Sequence, residues 1–174
     1  MYYTYYKSPL GDIALTANDQ GLTALTFMNG RGITSNKVEG TKIEGTSPLL
    51  IPEGYQENPE KFTQVCQQLT EYFAGERKEF YLPLAAIGTP FQQKVWYALC
   101  AIKQGETKTY AWLAKKINNE KAVRAVGSAN GANPIALIVP CHRVIGSNGK
   151  LTGYAGGLAL KAKLLMHEGA LFKP

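Results

Sequence analysis

A cysteine, a histidine and an arginine follow one another at positions 141–143, directly after an apolar run over residues 135–139 and Pro140. Only a few per cent of a free thiol is thiolate at neutral pH, so Cys141 needs a base in order to act as a nucleophile. The imidazole of His142 can take the thiol proton, directly or through one water, if another group orients the ring. These residue types therefore predict an activated thiol.

The group that orients His142 has to come from another part of the chain. Glu168 is the best candidate, because it lies in the predicted last helix beside His167. The other acids of the second half, Glu106 and Glu120, precede predicted short helices and suit solvent better. A simpler interpretation stays open, since a cysteine at the end of an apolar strand is often a small buried hydrophobic residue.

The flanking sequence favours a site that aims one side chain at a ligand. Pro140 has a fixed φ and restricts Val139 to extended geometry, so the strand predicted over residues 135–139 ends in a defined direction. Downstream, the glycines of GYAGGL (153–158) allow the backbone to approach a planar ligand closely. Tyr154 adds a ring face or a hydroxyl, although turns alone also explain the glycines.

The elements of the first half are predicted from alternation, helical spacing and turn residues. Residues 2–27 predict a three-stranded meander, and residues 29–58 predict a long surface loop. A helix is predicted to begin at Pro59 and to end near residue 75, and EFYLPL (79–84) predicts a further short strand.

The second half is predicted to be mainly helical. Thr89 and Pro90 begin one helix, Thr109 caps a second, and a third follows residues 118–120 with Val123 among its inward residues. The last two are short and joined by a polar turn, which suggests a helix-turn-helix, although any packed helix pair looks similar. Asn148-Gly149 predicts a β-hairpin, and a closing helix spans residues 158–169.

Charge is distributed unevenly over the 174 residues. Residues 1–88 carry seven Lys/Arg and ten Asp/Glu, a net of −3, whereas residues 89–174 carry twelve and three, a net of +9. A half this basic is typical of proteins that bind polyanions, of which nucleic acid is the commonest, and a solvated lysine-rich surface is the alternative.

Composition also narrows the compartment and the use of the cysteines. No apolar run approaches the roughly 20 residues that span a bilayer, and the N-terminus lacks the features of a signal peptide, so we expect a cytoplasmic protein. Three cysteines without CxxC spacing argue against a disulfide framework or a structural zinc site. Helical spacing places Cys66 and Cys100 in the predicted core.

From about Gly88 to Leu171 the chain resembles the O6-alkylguanine-DNA alkyltransferases, also called methylated-DNA–protein-cysteine methyltransferases. The matching segments are FQQKVWYAL, TYAWLA, AVRAVGSANGANP and IVPCHRVIGSNGKLTGYAGGLALKAKLLMHEGA. The resemblance implies an α/β + α fold, with a small ribonuclease-H-like α/β domain over residues 1–82, which match only loosely. A helix-turn-helix (winged-helix-like) domain over residues 83–174 would carry the active site.

The resemblance also implies a role for each residue of the catalytic group. Cys141 would accept the alkyl group, His142 would deprotonate it through a water, and Glu168 would hold the imidazole. Tyr110 would donate a proton or hydrogen bond to the departing guanine. Arg124 would enter the duplex where the target nucleotide leaves.

The substrate-binding residues implied in the same way are Asn133, Val144, Tyr154, Ala155 and Gly156. Asn133 would bridge the helix-turn-helix to the active-site strand, while Tyr154 and Ala155 would line the base pocket. Several family members have serine at the position of Ala155, and its hydroxyl could donate a hydrogen bond to O6 of the guanine. In this chain a backbone N–H would have to donate that hydrogen bond instead.

The partner implied is double-stranded DNA containing O6-alkylguanine, bound by a monomer that makes no membrane contact. No cofactor is implied, and no metal, because the zinc-binding members use N-terminal Cys and His and this chain has neither before Cys66. A stacked base cannot meet a buried thiolate, so the base would have to flip out of the duplex. The product is a thioether, which has no carbonyl for water to attack, so we expect one turnover per molecule.

Two other classes of protein remain open. A DNA-binding regulator would use the helix pair without chemistry, and the presence of Cys141 argues against it. A cysteine hydrolase would form an acyl-enzyme that turns over. In hydrolases the nucleophile and the base normally come from separate elements, unlike Cys141 and His142.

Overall fold

The computed structural model describes residues 1–28 and 51–173. It begins with β1 (Tyr2–Ser8), β2 (Gly11–Asn18) and β3 (Gly21–Phe27), which pair in succession as antiparallel neighbours. The predicted meander is therefore confirmed. Most of the loop predicted over residues 29–58 lies outside the described residues. Near its end, β4 (Gln56–Glu57) pairs in parallel with β1, so the sheet order is β3-β2-β1-β4.

A helix covers one side of this sheet. A 3₁₀ turn over Pro59–Phe62 leads into α1 (Thr63–Phe73), which buries Val65, Leu69 and Tyr72. The helix predicted to begin at Pro59 is thus present, with a 3₁₀ first turn.

The short strand predicted over residues 79–84 is wrong. This segment makes a single bridge, from Leu84 to Leu22 of β3, and the side chain of Gln68 binds both the N–H and the carbonyl of Tyr81. Pro83 has no N–H to extend a ladder. A glutamine side chain therefore satisfies backbone groups that a neighbouring strand would otherwise have paired.

Four further helices build the second half: α2 (Pro90–Leu99), α3 (Tyr110–Lys116), α4 (Val123–Gly131) and α5 (Leu158–His167). Thr89 and Gln92 form a reciprocal capping box on α2, and the hydroxyl of Thr109 accepts from the N–H of Trp112 in α3. Both α2 and α3 pack against α4. The inward position predicted for Val123 is wrong, because this first residue of α4 faces solvent.

The strand predicted over residues 135–139 is also wrong. The N–H of Leu25 in β3 donates to the carbonyl of Pro134 (3.0 Å), and the N–H of Ala136 donates to the carbonyl of Leu25 (3.1 Å). Only Ile135 therefore bridges to the sheet edge. The chain then turns back on itself through Leu137, which has a φ of 72°. The apolar composition of this segment reflects burial rather than extended pairing.

The β-hairpin predicted at Asn148-Gly149 is replaced by a turn. The N–H of Gly146 donates to the carbonyl of Lys150 (2.9 Å), which closes the turn. On the near side, β6 (Val144–Ile145) pairs in parallel with β5 (Lys108–Thr109), and on the far side Lys150 bridges to Lys173. The two arms therefore pair with different segments and not with each other.

One hydrophobic core runs through both halves. It joins Leu15 of the sheet and Leu69 of α1 to Leu99 of α2 and Leu164 of α5. Across residues 1–28 and 51–173, none of the helices has the length and apolar composition that crossing a lipid bilayer requires.

Candidate active site

Cys141, His142 and Arg143 form a short 3₁₀ turn, and all three side chains are buried. Because a 3₁₀ helix has three residues per turn, consecutive side chains point about 120° apart. Cys141 lines a pocket, while His142 and Arg143 both contact Glu168. The turn thus directs the side chain of Cys141 toward the pocket and the side chains of His142 and Arg143 toward the buried carboxylate.

Glu168 directly follows α5 and accepts four hydrogen bonds. His142 Nε2 lies 2.9 Å from Oε2, and Arg143 donates from Nε to Oε1 (2.8 Å) and from Nη2 to Oε2 (3.0 Å). The hydroxyl of Tyr72, from α1, donates to Oε2 at 2.6 Å. Burial alone would raise the pKa of Glu168, but the hydrogen bonds from His142 and Arg143 and the positive charge of the guanidinium outweigh it and lower the pKa to about 2.

The ionised Glu168 fixes the tautomer of His142. Burial lowers the pKa of this imidazole, so the ring is neutral and carries one N–H. A carboxylate can only accept, so Nε2 carries the proton and Nδ1 keeps its lone pair. Nδ1 is fully buried and has no hydrogen-bond partner among the described residues. The imidazole is therefore held ready to accept a proton at Nδ1.

The Cys141 thiol stays protonated in this environment. Burial raises the pKa of Cys141, and a hydrogen bond with the Asn133 side chain and the charge of Lys161 oppose that rise. A nucleophilic role consequently requires a base to take the proton as the thiol reacts.

Asn133 holds the segment that leads to the thiol. Its Nδ2 donates to the carbonyl of Val139 (2.8 Å), and its Oδ1 accepts from the N–H of Ile135 (3.0 Å). The residue follows the end of α4, so it ties the helix pair to the turn over residues 135–139. The side-chain amide of Asn133 thus binds a backbone carbonyl and a backbone N–H that a neighbouring strand would otherwise have paired.

Lys161 is a buried cation beside the site. Its side chain is fully buried in α5, and Nζ donates to the carbonyls of Val144 (2.6 Å) and Thr152 (2.9 Å). Burial lowers the pKa of Lys161 to about 8, opposed by the negative charge that Cys141 would carry. Val144 is buried and meets the site through this carbonyl, and it is not among the pocket-lining residues.

Tyr110 stands at the start of α3, where the pairing of β5 with β6 brings it beside the segment that follows Cys141. Its hydroxyl lies 2.7 Å from Oγ1 of Thr152. Arg124, in contrast, is exposed on the first turn of α4. The structure therefore does not bring Arg124 to the thiol.

The pocket in front of Cys141 has a cavity volume of about 120 Å³. Asn133, Tyr154, Ala155 and Gly156 line it, and the hydroxyl of Tyr154 is buried without a partner in the described part of the chain. The first half contributes a wall that the sequence did not predict, formed by residues 25–27 at the end of β3.

Three residues of the site were missed by sequence reasoning. Arg143 and Tyr72 share the carboxylate of Glu168, and nothing local in the sequence links Tyr72 to it. Lys161 had a detectable signal, because it lies seven residues before Glu168 on one face of a helix whose other inward residues are leucines. The core position predicted for Cys100 is wrong, since this thiol is exposed, and Cys66 is half-buried.

Comparison with known proteins finds relatives along nearly the whole chain. The family model described as 6-O-methylguanine DNA methyltransferase, DNA binding domain, matches residues 90–170, and the ribonuclease-like domain of the same name matches residues 1–86. A methylated-DNA–protein-cysteine methyltransferase of Methanosarcina acetivorans is 51% identical, with 98% of this chain and 99% of that one covered. The constitutive enzyme of Bacillus subtilis is 43% identical, covering 99% and 98%. The solved structure of Mycobacterium tuberculosis OGT in complex with DNA has a TM-score of 0.82 at 41% identity, covering 97% of this chain and 93% of that one.

Proposed function

Because the chain belongs to the family of methylated-DNA–protein-cysteine methyltransferases, we propose that it repairs DNA by moving an alkyl group from O6 of guanine to the thiol of Cys141. The observation that carries this proposal is the buried Cys141, which lines the pocket and is followed by a neutral His142 whose Nδ1 has no hydrogen-bond partner among the described residues. The family has a two-domain, mixed α/β fold with a DNA-binding C-terminal part.

The reaction is a displacement at the alkyl carbon. The bond from Sγ of Cys141 to carbon forms as the bond from carbon to O6 of guanine breaks, and the electron pair stays on the base. The thiol proton passes to Nδ1 of His142 through one water, while Glu168 holds Nε2–H and stabilises the imidazolium. Tyr110 donates a hydrogen bond to the guanine as negative charge develops on the base, and its hydroxyl proton passes to the guanine as the bond from carbon to O6 breaks.

The pocket takes the guanine only after the nucleotide has left the stack, at a cost of a few kcal/mol. Tyr154, Ala155 and Gly156 line the pocket, and a backbone N–H of this loop donates to O6 of the guanine because Ala155 has no side-chain donor. Arg124, exposed at the start of α4, fills the space that the base vacates.

For the fold, we propose a ribonuclease-H-like domain over residues 1–82 and a helix-turn-helix domain over residues 83–174, with α3 and α4 as the helix pair. The partner is duplex DNA bound by a monomer, and the net charge of +9 on residues 89–174 supports binding to phosphates. The thioether on Cys141 is permanent, so each molecule acts once.

The test is mass spectrometry after mixing the protein with a duplex that contains one O6-methylguanine. We expect one added methyl group on the peptide holding Cys141, no more than one repaired base per protein molecule, and no transfer by Cys141→Ala at unchanged DNA affinity. Cys100→Ser is the matched control and should transfer normally. Repaired DNA with an unmodified Cys141 peptide would refute the proposal.

A further inference from the structure

Among residues 1–28 and 51–173, the side-chain partner of the Tyr110 hydroxyl is Oγ1 of Thr152, at 2.7 Å. We propose that Thr152 is a positioning residue for alkyl transfer, which holds the Tyr110 hydroxyl and stabilises it as its proton moves toward the guanine. This inference rests on the proposed function, because it acts through the role of Tyr110 there.

Thr152 is itself held by two further contacts. Its carbonyl accepts from the buried Nζ of Lys161 at 2.9 Å, and the same ammonium reaches the carbonyl of Val144 at 2.6 Å. Its methyl group faces Gly146, where an added Cβ would stand only 3.3 Å from Cγ2. With the carbonyl and the methyl both engaged, the hydroxyl is the group directed at Tyr110.

The ring of Tyr110 is confined from the other side. It lies over the backbone of α4 at Gly127, where an added Cβ would be 3.8 Å from Cδ1 of the ring. The phenol is therefore located by the backbone of α4 at its ring and by Thr152 at its oxygen.

The direction of the hydrogen bond follows from the protons available. Tyr110 has one hydroxyl proton, and in the reaction that proton goes to the guanine as the bond from carbon to O6 breaks. Thr152 must then donate its own proton to the Tyr110 oxygen. As that oxygen becomes negative, the bond from Thr152 becomes charge-assisted and shortens. The phenolate afterwards regains a proton from solvent.

Such a bond is stronger in the transition state than in the resting protein. Interactions of that kind raise the rate of the chemical step, and they leave substrate affinity unchanged. The expected signature of Thr152 is therefore a change in the maximal transfer rate at constant DNA affinity.

The experiment measures single-turnover methyl transfer against the concentration of an O6-methylguanine duplex. Thr152→Val keeps the shape and removes the hydroxyl, and we expect the maximal rate to fall roughly tenfold, equivalent to about 1.4 kcal/mol. The duplex concentration at half-maximal rate should stay within about twofold. Thr152→Ser keeps the hydroxyl and should retain most of the wild-type rate.

A double-mutant cycle separates positioning from general structural support. In a Tyr110→Phe background the oxygen that Thr152 serves is missing, so Thr152→Val should cause no further loss. If Thr152→Val proves unfolded by circular dichroism, Thr152→Ala replaces it in the same cycle.

Two results would overturn the inference: a valine variant as fast as wild type, or an equal loss in the Tyr110→Phe background. Failure of the wild-type protein to methylate Cys141 would instead refute the proposed function, so the two failures are distinguishable.

Discussion

The hydrogen bond from Tyr72 to Glu168 joins the two halves of the chain at the buried carboxylate, and Tyr72→Phe removes it alone. The phenyl ring keeps its packing against Phe73 and His167, with centroids 5.0 and 4.9 Å away, so no cavity larger than a hydroxyl is left. A hydrogen bond to a charged group contributes about 1.5–3 kcal/mol. Oε2 of Glu168 keeps its bonds from His142 and Arg143, so we expect the lower part of that range, about 2 kcal/mol.

Urea unfolding measures this loss as a lower midpoint with an unchanged slope. A loss of about 2 kcal/mol also lowers the melting temperature by roughly 4–8 °C for a chain of this length. Tyr97→Phe is the matched control, because this tyrosine is 85% exposed and its hydroxyl should contribute less than about 0.5 kcal/mol. If Tyr72→Phe loses no more stability than Tyr97→Phe, the ionised, hydrogen-bonded state assigned to Glu168 is wrong.

Three other predictions follow from the same geometry. The pKa of Glu168 is about 2 in the folded protein against 4.5 for an ordinary glutamate, so wild-type stability should fall as pH drops from about 5 toward 2. Urea midpoints of Glu168→Gln should vary less over that range. Arg124→Ala should slow transfer from duplex DNA by an order of magnitude or more but leave transfer from the free O6-alkylguanine base unchanged, as followed by mass spectrometry. Iodoacetamide should label the exposed Cys100 before the buried Cys141 in peptide mapping, and faster labelling of Cys141 would contradict its burial.

The sequence predicted best those elements whose signals are local. The caps at Thr89 and Thr109 lie within four residues of the groups they bind, and both helices begin where predicted. Residues 135–139 have the composition of a buried strand, yet only Ile135 finds a free sheet edge. Which edge is available depends on how distant segments pack, and the periodicity of a single segment does not contain that information.

The candidate site shows the same division. Cys141 and His142 are adjacent, and both are recognisable by residue type and neighbourhood. Tyr72 reaches Glu168 from 96 positions away, and its contact exists only because α1 packs against the end of α5. In the sequence, Arg143 counts toward the positive charge of its half. In the structure its guanidinium is buried and donates hydrogen bonds to the carboxylate of Glu168 and to the carbonyl of Ile102.

The backbone hydrogen bonds between Leu25 of β3 and residues 134–136 have an evolutionary consequence. Leu25 makes these bonds with its backbone N–H and its backbone carbonyl, and every amino acid except proline has both groups. Substitutions within residues 1–88 can therefore change the side chains of this half widely without removing these two hydrogen bonds. Chimeras that exchange this half between distant relatives should keep these hydrogen bonds wherever a strand of the same length as β3 ends at the same edge of the sheet.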